Sequence, residues 1–178
     1  ILLRNEREGI RVDEKALERD QVIFEAAQKK TDEWIRKSLK TPDLDLDKDA
    51  EVAKAFEAND SLSEWTLTPT GRNSVSKKNM KLSHFRDRKL AAAYIYRQKC
   101  ATILETFIRP WQKYTVKGWM HTNWNQVKQA KGSKSGDTGG TRTGRPSTND
   151  PNFLNMPKAV KDEDEFGGFI MPTHIKDL

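Results

Sequence analysis

Two long stretches of helical periodicity constrain the fold of this chain more than any other feature of its sequence. Apolar side chains recur on one helical face in residues 13–39, and a second stripe in residues 83–108 advances in steps of seven and four. Asp13 is a favourable N-cap for the first helix, and Pro110 predicts the end of the second. The chain is therefore expected to fold around packed helices. The apolar positions are Ala16, Ile23, Phe24, Ala27, Trp34 and Ile35, then Phe85, Ala92, Tyr96, Ile103 and Phe107.

Shorter elements are predicted around these helices. Residues 1–8 predict a short helix ended by Gly9, residues 48–58 predict another helix, and residues 59–79 are rich in turn formers. Residues 119–125 alternate as a strand does, with Trp119, His121 and Asn123 on one face. Helices followed by strands indicate an α+β chain, mostly helical and ending in the first strands of an antiparallel, incomplete sheet.

The composition limits the size of the core and the cellular setting. Hydrophobic residues make up 35% of the chain and charged residues 33%, against about 45–50% and about 25% in typical soluble domains. There is no membrane span, no signal peptide and only one cysteine, Cys100, which favours a reducing compartment such as a cytoplasm. Because the chain opens on Ile1 and its last residues read as a continuing segment, we interpret it as a piece of a longer protein.

The charge is distributed unevenly along the sequence. Residues 61–160 contain 18 Lys and Arg against 5 Asp and Glu, a net charge of +13, whereas the flanking segments are acidic. Such a stretch predicts a polyanionic partner, and a solvated basic surface is the alternative. Arg88 and Lys99, eleven residues apart, share one helical face and are candidate DNA contacts, with Lys77 and Lys78 just before them.

Residue chemistry alone provides no complete active site. The sequence has no Cys-x-x-Cys, His-Glu-x-x-His or phosphate-binding glycine loop, so neither a zinc site nor a nucleotide cradle is indicated. The acids at 43–47 lack the glycine and distal glutamate of a calcium loop. The acids at 162–165 are interpreted as solvated charge.

Four segments, in order, resemble those of family A DNA polymerases, the bacterial repair polymerase and phage replicase group. Residues 143–157 read Thr-Gly-Arg-x-Ser-x-x-x-Pro-Asn-x-x-Asn-x-Pro, which is similar to a primer-template-binding segment of that family. Residues 2–13 resemble the join to a proofreading domain, and residues 67–76 resemble the tip of the thumb. Residues 120–126 resemble the His-Thr-x-x-x-Gln strand that opens the palm. The resemblance implies a junction at 1–12, a helical thumb at 13–110 and a palm entry at 111–178, with the DNA-binding segment at 141–157.

The resemblance also implies roles for individual residues. Arg145 matches an arginine that reaches the minor groove at the primer terminus, where correct base pairs present acceptors in similar places. Asn152 and Asn155 match amides near the template-primer junction, although capping of their own loop is the alternative. Thr143 and Ser147 would position the backbone or contact phosphate. Two further candidate contacts are Gln126 and His121.

Two departures from the family pattern stand out. Leu154 occupies a position where many members have glutamine, so one polar groove contact is expected to be lost. The Gly, Ser and Lys-rich loop at 130–141 is longer than the corresponding passage in bacterial members, which leaves the local DNA path open.

The Asp-x-Ser-x-x-Glu strand that supplies a catalytic carboxylate in this family does not occur in the sequence. Mg²⁺ would accordingly be held by another part of the polymerase.

These observations predict the DNA-binding thumb and palm entry of a DNA-directed DNA polymerase, which extends a primer during replication or repair. Its partners would be primer-template duplex and, in the complete enzyme, deoxynucleoside triphosphates. The chain alone is expected to be inactive. Two alternatives stay open: a subunit of a split polymerase, and a non-enzymatic basic protein that binds nucleic acid through its aromatic residues.

Overall fold

A computed structural model describes residues 2–75, 80–125 and 147–154 and confirms the α+β class. Among these residues, none of the helices combines the length and apolar character needed to cross a bilayer. The helices are α1 (Leu2–Glu8), α2 (Glu14–Leu39), α3 (Asp49–Ala58), α4 (Arg88–Ile103) and α5 (Arg109–Tyr114), with a 3-10 turn at Leu82–His84 and a π-helical turn at Leu104–Ile108. The strands are β1 (Ile10–Arg11), β2 (Thr115–Val116), β3 (Trp119–Met120), β4 (Asn123–Asn125) and β5 (Ser147–Asn149).

The entry of the chain into α2 follows the prediction closely. Gly9 ends α1 with φ +75°, a left-handed conformation that glycine adopts without strain. A Cβ at this position would lie 2.8 Å from His121 Cε1, so the close approach of the imidazole also requires glycine. Asp13 caps α2, because its Oδ1 accepts hydrogen bonds from the backbone N–H groups of Lys15 (3.0 Å) and Ala16 (3.1 Å).

The described residues form two compact units. Residues 2–23, 102–125 and 147–154 make up the strand unit, and residues 24–75 and 80–101 make up the helical unit. The division falls within α2 and near the end of α4, whereas the family resemblance implies boundaries at 12 and 110. The division into junction, thumb and palm therefore stays a prediction.

Aromatic packing builds the core of the helical unit. Phe56, fully buried on α3, meets the edges of Phe85 and Tyr94 with ring centroids 5.5 and 5.1 Å away. The predicted apolar positions Val52 and Ala55 are buried in the same cluster. The pattern of α3 is thus confirmed, and its apolar face supplies the centre of this core.

A buried arginine, Arg97, bonds residues from separate segments of the helical unit. Arg97 Nε donates to Asp32 Oδ1 (3.0 Å), its Nη1 donates to the Leu46 carbonyl (3.0 Å), and its Nη2 contacts Asp47. The Arg97 side chain is only 7% exposed and that of Asp32 only 15%. Burial raises the pKa of Asp32 above its ordinary value, and the neighbouring Arg97 partly offsets this effect.

The second long helix departs from the prediction at both ends. It begins at Arg88 rather than near residue 83, after the 3-10 turn, and it does not stop at Pro110. The π-helical turn adds a residue to the helical path, and the Arg109 N–H bonds the Leu104 carbonyl five residues back. Pro110 then occupies the first turn of α5, where its missing N–H is tolerated. The apolar stripe itself is confirmed, since all five of its members are buried.

The predicted strand at 119–125 is two strands in two different sheets. β3 lies between β1 and β2 in one antiparallel sheet, and β4 pairs with β5 in a separate ribbon. The interruption falls at His121 and Thr122, whose side chains bond elsewhere. His121 Nδ1 lies 2.8 Å from the Glu6 carbonyl, and the Thr122 hydroxyl bonds the Pro151 carbonyl at 2.7 Å. The alternation of exposure is nonetheless as predicted, with Trp119, His121 and Asn123 exposed.

Candidate nucleic-acid interface

The turn at residues 150–154 is held in place by threonine side chains. Thr148 Oγ1, on β5, accepts hydrogen bonds from the backbone N–H groups of Phe153 (2.9 Å) and Leu154 (3.2 Å). Asp150 begins the turn with φ +52°, an uncommon conformation for a residue other than glycine. The short polar sequence after β5 therefore folds back on its own strand.

Phe153 packs this turn against the core of the strand unit. Its ring lies 5.8 Å from that of Trp111, which in turn meets Phe107 edge to face at 6.0 Å. Trp111 and Phe107 are buried with Val12, Leu17 and Met120 in the core of the strand unit. The backbone beside Asn152 is consequently positioned by a packed aromatic side chain.

Asn152 lies on a groove of about 620 Å³ between the turn and the π–α5 segment. Its amide makes no hydrogen bond to another described residue, so no capping of its own loop is seen for Asn152. Across the groove Tyr114 Oη donates to Asp150 Oδ1 (3.3 Å). The other lining residues are Glu105, Thr106, Arg109, Pro110, Lys113, Thr148, Asn149 and Pro151.

The groove is polar without a net charge. Arg109 is paired with Glu105, and Lys113 Nζ lies 5.6 Å from the centre of the Tyr114 ring. Two cations thus accompany two carboxylates, those of Glu105 and Asp150. Because its charges balance, the groove is suited to recognise a ligand through hydrogen bonds from amides and hydroxyls and not to attract it by charge.

Other predicted contacts lie on separate elements. Ser147 pairs with Asn125 in the β4–β5 ribbon, and His121 uses Nδ1 to contact α1, as described above. Arg88 begins α4 in the helical unit and is exposed, whereas Lys99 is half-buried on the same helix. Leu154 is 45% exposed at the end of the turn.

Several predictions fall outside the described residues, and their placement is untested. They are the loop at 130–141 and the candidates Lys77, Lys78, Gln126, Thr143, Arg145 and Asn155.

A basic surface lies at the start of α4. Lys81, Arg86, Arg88 and Lys89 are all exposed, and Arg86 Nε lies 3.3 Å from Asp60 Oδ2. Clustered exposed cations of this kind bind phosphates and make the affinity for nucleic acid depend on salt.

The groove side of α5 was not predicted from the sequence. Arg109 and Lys113 line the groove because the helix continues past Pro110 instead of ending there. In a sequence, a proline in the first turn of a helix looks the same as a proline that ends a helix. Only the π-helical turn before Pro110 shows which of the two cases applies here.

Thr148→Val tests how the turn is supported. Valine keeps the shape but lacks the oxygen that accepts two backbone N–H groups, so we expect the free energy of unfolding to fall by about 1–3 kcal/mol. Urea denaturation measures this change. Thr148→Ser, which retains the acceptor, should recover most of the loss, and an equal loss in both variants would contradict the role assigned to the oxygen.

Comparison with known proteins finds similarity at the level of structure. No family model matches the chain, and no curated protein is similar to it. The polymerase domain of Pol1 from M. smegmatis, solved in complex with DNA primer-template and dNTP, aligns with a TM-score of 0.69 and 19% sequence identity. The alignment covers 93% of this chain and 27% of that one. At this identity the two share a fold, and the chain spans about a quarter of the length of its neighbour.

Proposed function

We propose that this chain is the primer-template-binding part of a DNA-directed DNA polymerase of the family A type. The observation that carries the proposal is the alignment of 93% of the chain with a polymerase domain solved with primer-template DNA. The four sequence segments that resemble family A polymerases also occur in the order of that family. This support is independent of the structural alignment, because it depends on the sequence alone. The chain would work in the cytoplasm of a bacterium or phage-infected cell.

In this proposal the helical unit and the strand unit contribute different contacts. The exposed cations at the start of α4 would hold phosphates of any sequence, as a sliding enzyme requires. Arg145 would enter the minor groove, and the amide of Asn152 would bond an acceptor presented beside it. The neutral groove suits this second role, since it offers donors without a strong attraction for phosphate.

Catalysis is proposed for the complete polymerase and not for the residues described here. No group of three or more His, Cys, Asp or Glu side chains in the described ranges is arranged to hold a metal ion. These described residues therefore do not fit a Mg²⁺ site. Mg²⁺ and deoxynucleoside triphosphates would be bound by other parts of the enzyme.

Binding of a labelled primer-template duplex, followed by anisotropy over a range of salt concentrations, tests the proposal. Arg145→Ala should weaken binding roughly tenfold through loss of a forked groove contact. Arg88→Gln should instead reduce the slope of log affinity against log salt by about 0.9, the effect of one lost phosphate contact. Asn152→Ala should weaken binding at every salt concentration without changing that slope.

Matched variants control for charge and for general perturbation. Arg4→Ala removes an exposed arginine paired with Glu8, and Asn123→Ala removes an exposed amide on β4; neither should alter the affinity. Equal affinity for blunt duplex and for a primer-template junction would favour the alternative of a non-enzymatic nucleic-acid-binding protein. Primer extension by the chain alone would contradict the assignment of catalysis to other parts.

A further inference from the structure

The three-stranded sheet of the strand unit has one buried face and one exposed face. Because side chains alternate along a strand, the registered row Ile10, Met120 and Thr115 faces the interior, and Met120 is fully buried. The opposite row contains Arg11, Trp119 and Val116. Trp119 is 44% exposed and Val116 is 65% exposed. The central strand β3 therefore presents a large aromatic ring in the middle of the exposed face of the sheet.

Three cationic side chains line the same concavity as this ring. Arg11, Lys15 and Lys117 are exposed and line a broad concavity of about 980 Å³ together with Trp119. None of the three forms an ion pair with another residue in the described ranges. The aromatic face and the cationic groups are thus available together.

The two carboxylates in the concavity are engaged by the fold. Asp13 Oδ1 caps α2, and Glu14 Oε1 accepts a hydrogen bond of 2.6 Å from the Gly118 N–H. Three cations therefore face two carboxylates that already bond backbone donors. The remaining charge is positive, which favours an anionic occupant over a basic or apolar protein segment, and the exposed Trp119 ring favours an anion that carries flat bases over an acidic peptide.

We propose that this surface binds single-stranded nucleic acid, with a base stacked on Trp119 and phosphates contacted by Arg11, Lys15 and Lys117. A flat π surface flanked by cations is the arrangement that binds unpaired bases without reading their sequence. Paired bases in a duplex do not expose their faces, so the surface selects single strands. This site goes beyond the duplex grip proposed above and does not rest on it.

Anisotropy of a labelled oligodeoxythymidylate, measured with the full 178-residue chain, tests the proposal. Trp119→Ala should weaken binding roughly tenfold through loss of one stacked base. Trp119→Phe, which keeps a ring, should recover most of the affinity. Lys15→Gln and Lys117→Asn should each lower the slope of log affinity against log salt by about 0.7, the value for one phosphate of a single strand. Asparagine suits position 117 because the backbone there has φ +53°.

Three controls distinguish loss of this surface from misfolding and from a general loss of positive charge. Lys54→Gln removes an exposed lysine of the helical unit and should leave oligonucleotide binding unchanged. Circular dichroism should show that Trp119→Ala keeps its helical content. Trp119→Ala should leave the affinity for duplex DNA unchanged. Failure of this proposal would appear in oligonucleotide binding, whereas failure of the proposed function would appear in duplex binding, so the two can be distinguished. Unchanged oligonucleotide affinity in Trp119→Ala would overturn the proposal.

Discussion

Arg97→Met is expected to lower the free energy of unfolding by about 3–5 kcal/mol, because it leaves the largely buried carboxylate of Asp32 without its hydrogen-bonded cation. The Leu46 carbonyl loses a donor in the same substitution. Asp47 contributes little, since its side chain is 76% exposed and water can replace the arginine. Because native domains are stable by only about 5–15 kcal/mol, this single change should move the unfolding midpoint far toward lower denaturant.

The loss should depend on pH in a defined direction. Burial already raises the pKa of Asp32, and removal of Arg97 takes away the larger of the attractions that oppose the rise, leaving only the weaker one from Arg36. A carboxyl group with a raised folded-state pKa stabilises the fold below its unfolded pKa and loses that contribution as the pH increases through the folded pKa. The deficit of Arg97→Met should therefore be smaller in acid than at neutral pH.

Two further variants identify the cause. Arg86→Met removes an exposed arginine whose ion pair with Asp60 lies on the surface, and it should cost less than about 1 kcal/mol. The double variant Arg97→Met with Asp32→Leu should regain most of the lost stability, since neither charge is then left unpaired in the interior. If the double variant is as unstable as Arg97→Met alone, then packing and not the unpaired carboxylate explains the loss.

Phe56→Ala is expected to destabilise the chain by about 3–5 kcal/mol, the usual cost of deleting a buried phenylalanine. Phe56 is fully buried and contacts both Phe85 and Tyr94 edge to face. The cavity would remove both aromatic contacts as well as the buried area of the ring. Thermal and urea unfolding followed by circular dichroism measure the change.

Phe56→Leu provides the comparison for this prediction. Leucine retains most of the buried apolar volume but not the edge-to-face geometry, so its cost should be well below that of alanine. Leu67→Ala, at a side chain that is 61% exposed, should change stability little. Equal costs for Phe56→Ala and Leu67→Ala would contradict the assignment of Phe56 to the centre of this core.

Prediction from sequence succeeded where local chemistry decides the outcome. Gly9 and Asp13 were recognised because a left-handed cap and an N-cap depend on a few neighbouring residues. Prediction from sequence failed where residues distant in the chain determine the local structure. The strand at 119–125 is divided because Thr122 bonds the Pro151 carbonyl, a partner 29 residues away. Prediction also failed at Pro110, where the cause is local: the π-helical turn directly before the proline changes the hydrogen-bond register, and periodicity does not predict such a turn.

The candidate site shows the same division. Asn152 and Ser147 stay motif-based predictions as DNA contacts, and the turn that places Asn152 beside a groove is seen only in three dimensions. Arg97 escaped notice because a charged residue in a helical pattern suggests an exposed position, whereas Asp32 and the Leu46 carbonyl here make its burial tolerable.

The sequence by itself determined where the two long helices lie, the caps at Gly9 and Asp13, the α+β class and the basic character of residues 61–160, because periodicity, capping and charge are properties of neighbouring residues. Only the tertiary structure decided which polar groups meet. It paired Arg97 with Asp32, placed Arg109 and Lys113 across from Asn152, and left Trp119 exposed among cations. Such contacts join residues that are far apart in the chain, and their strength depends on burial, which no local pattern specifies.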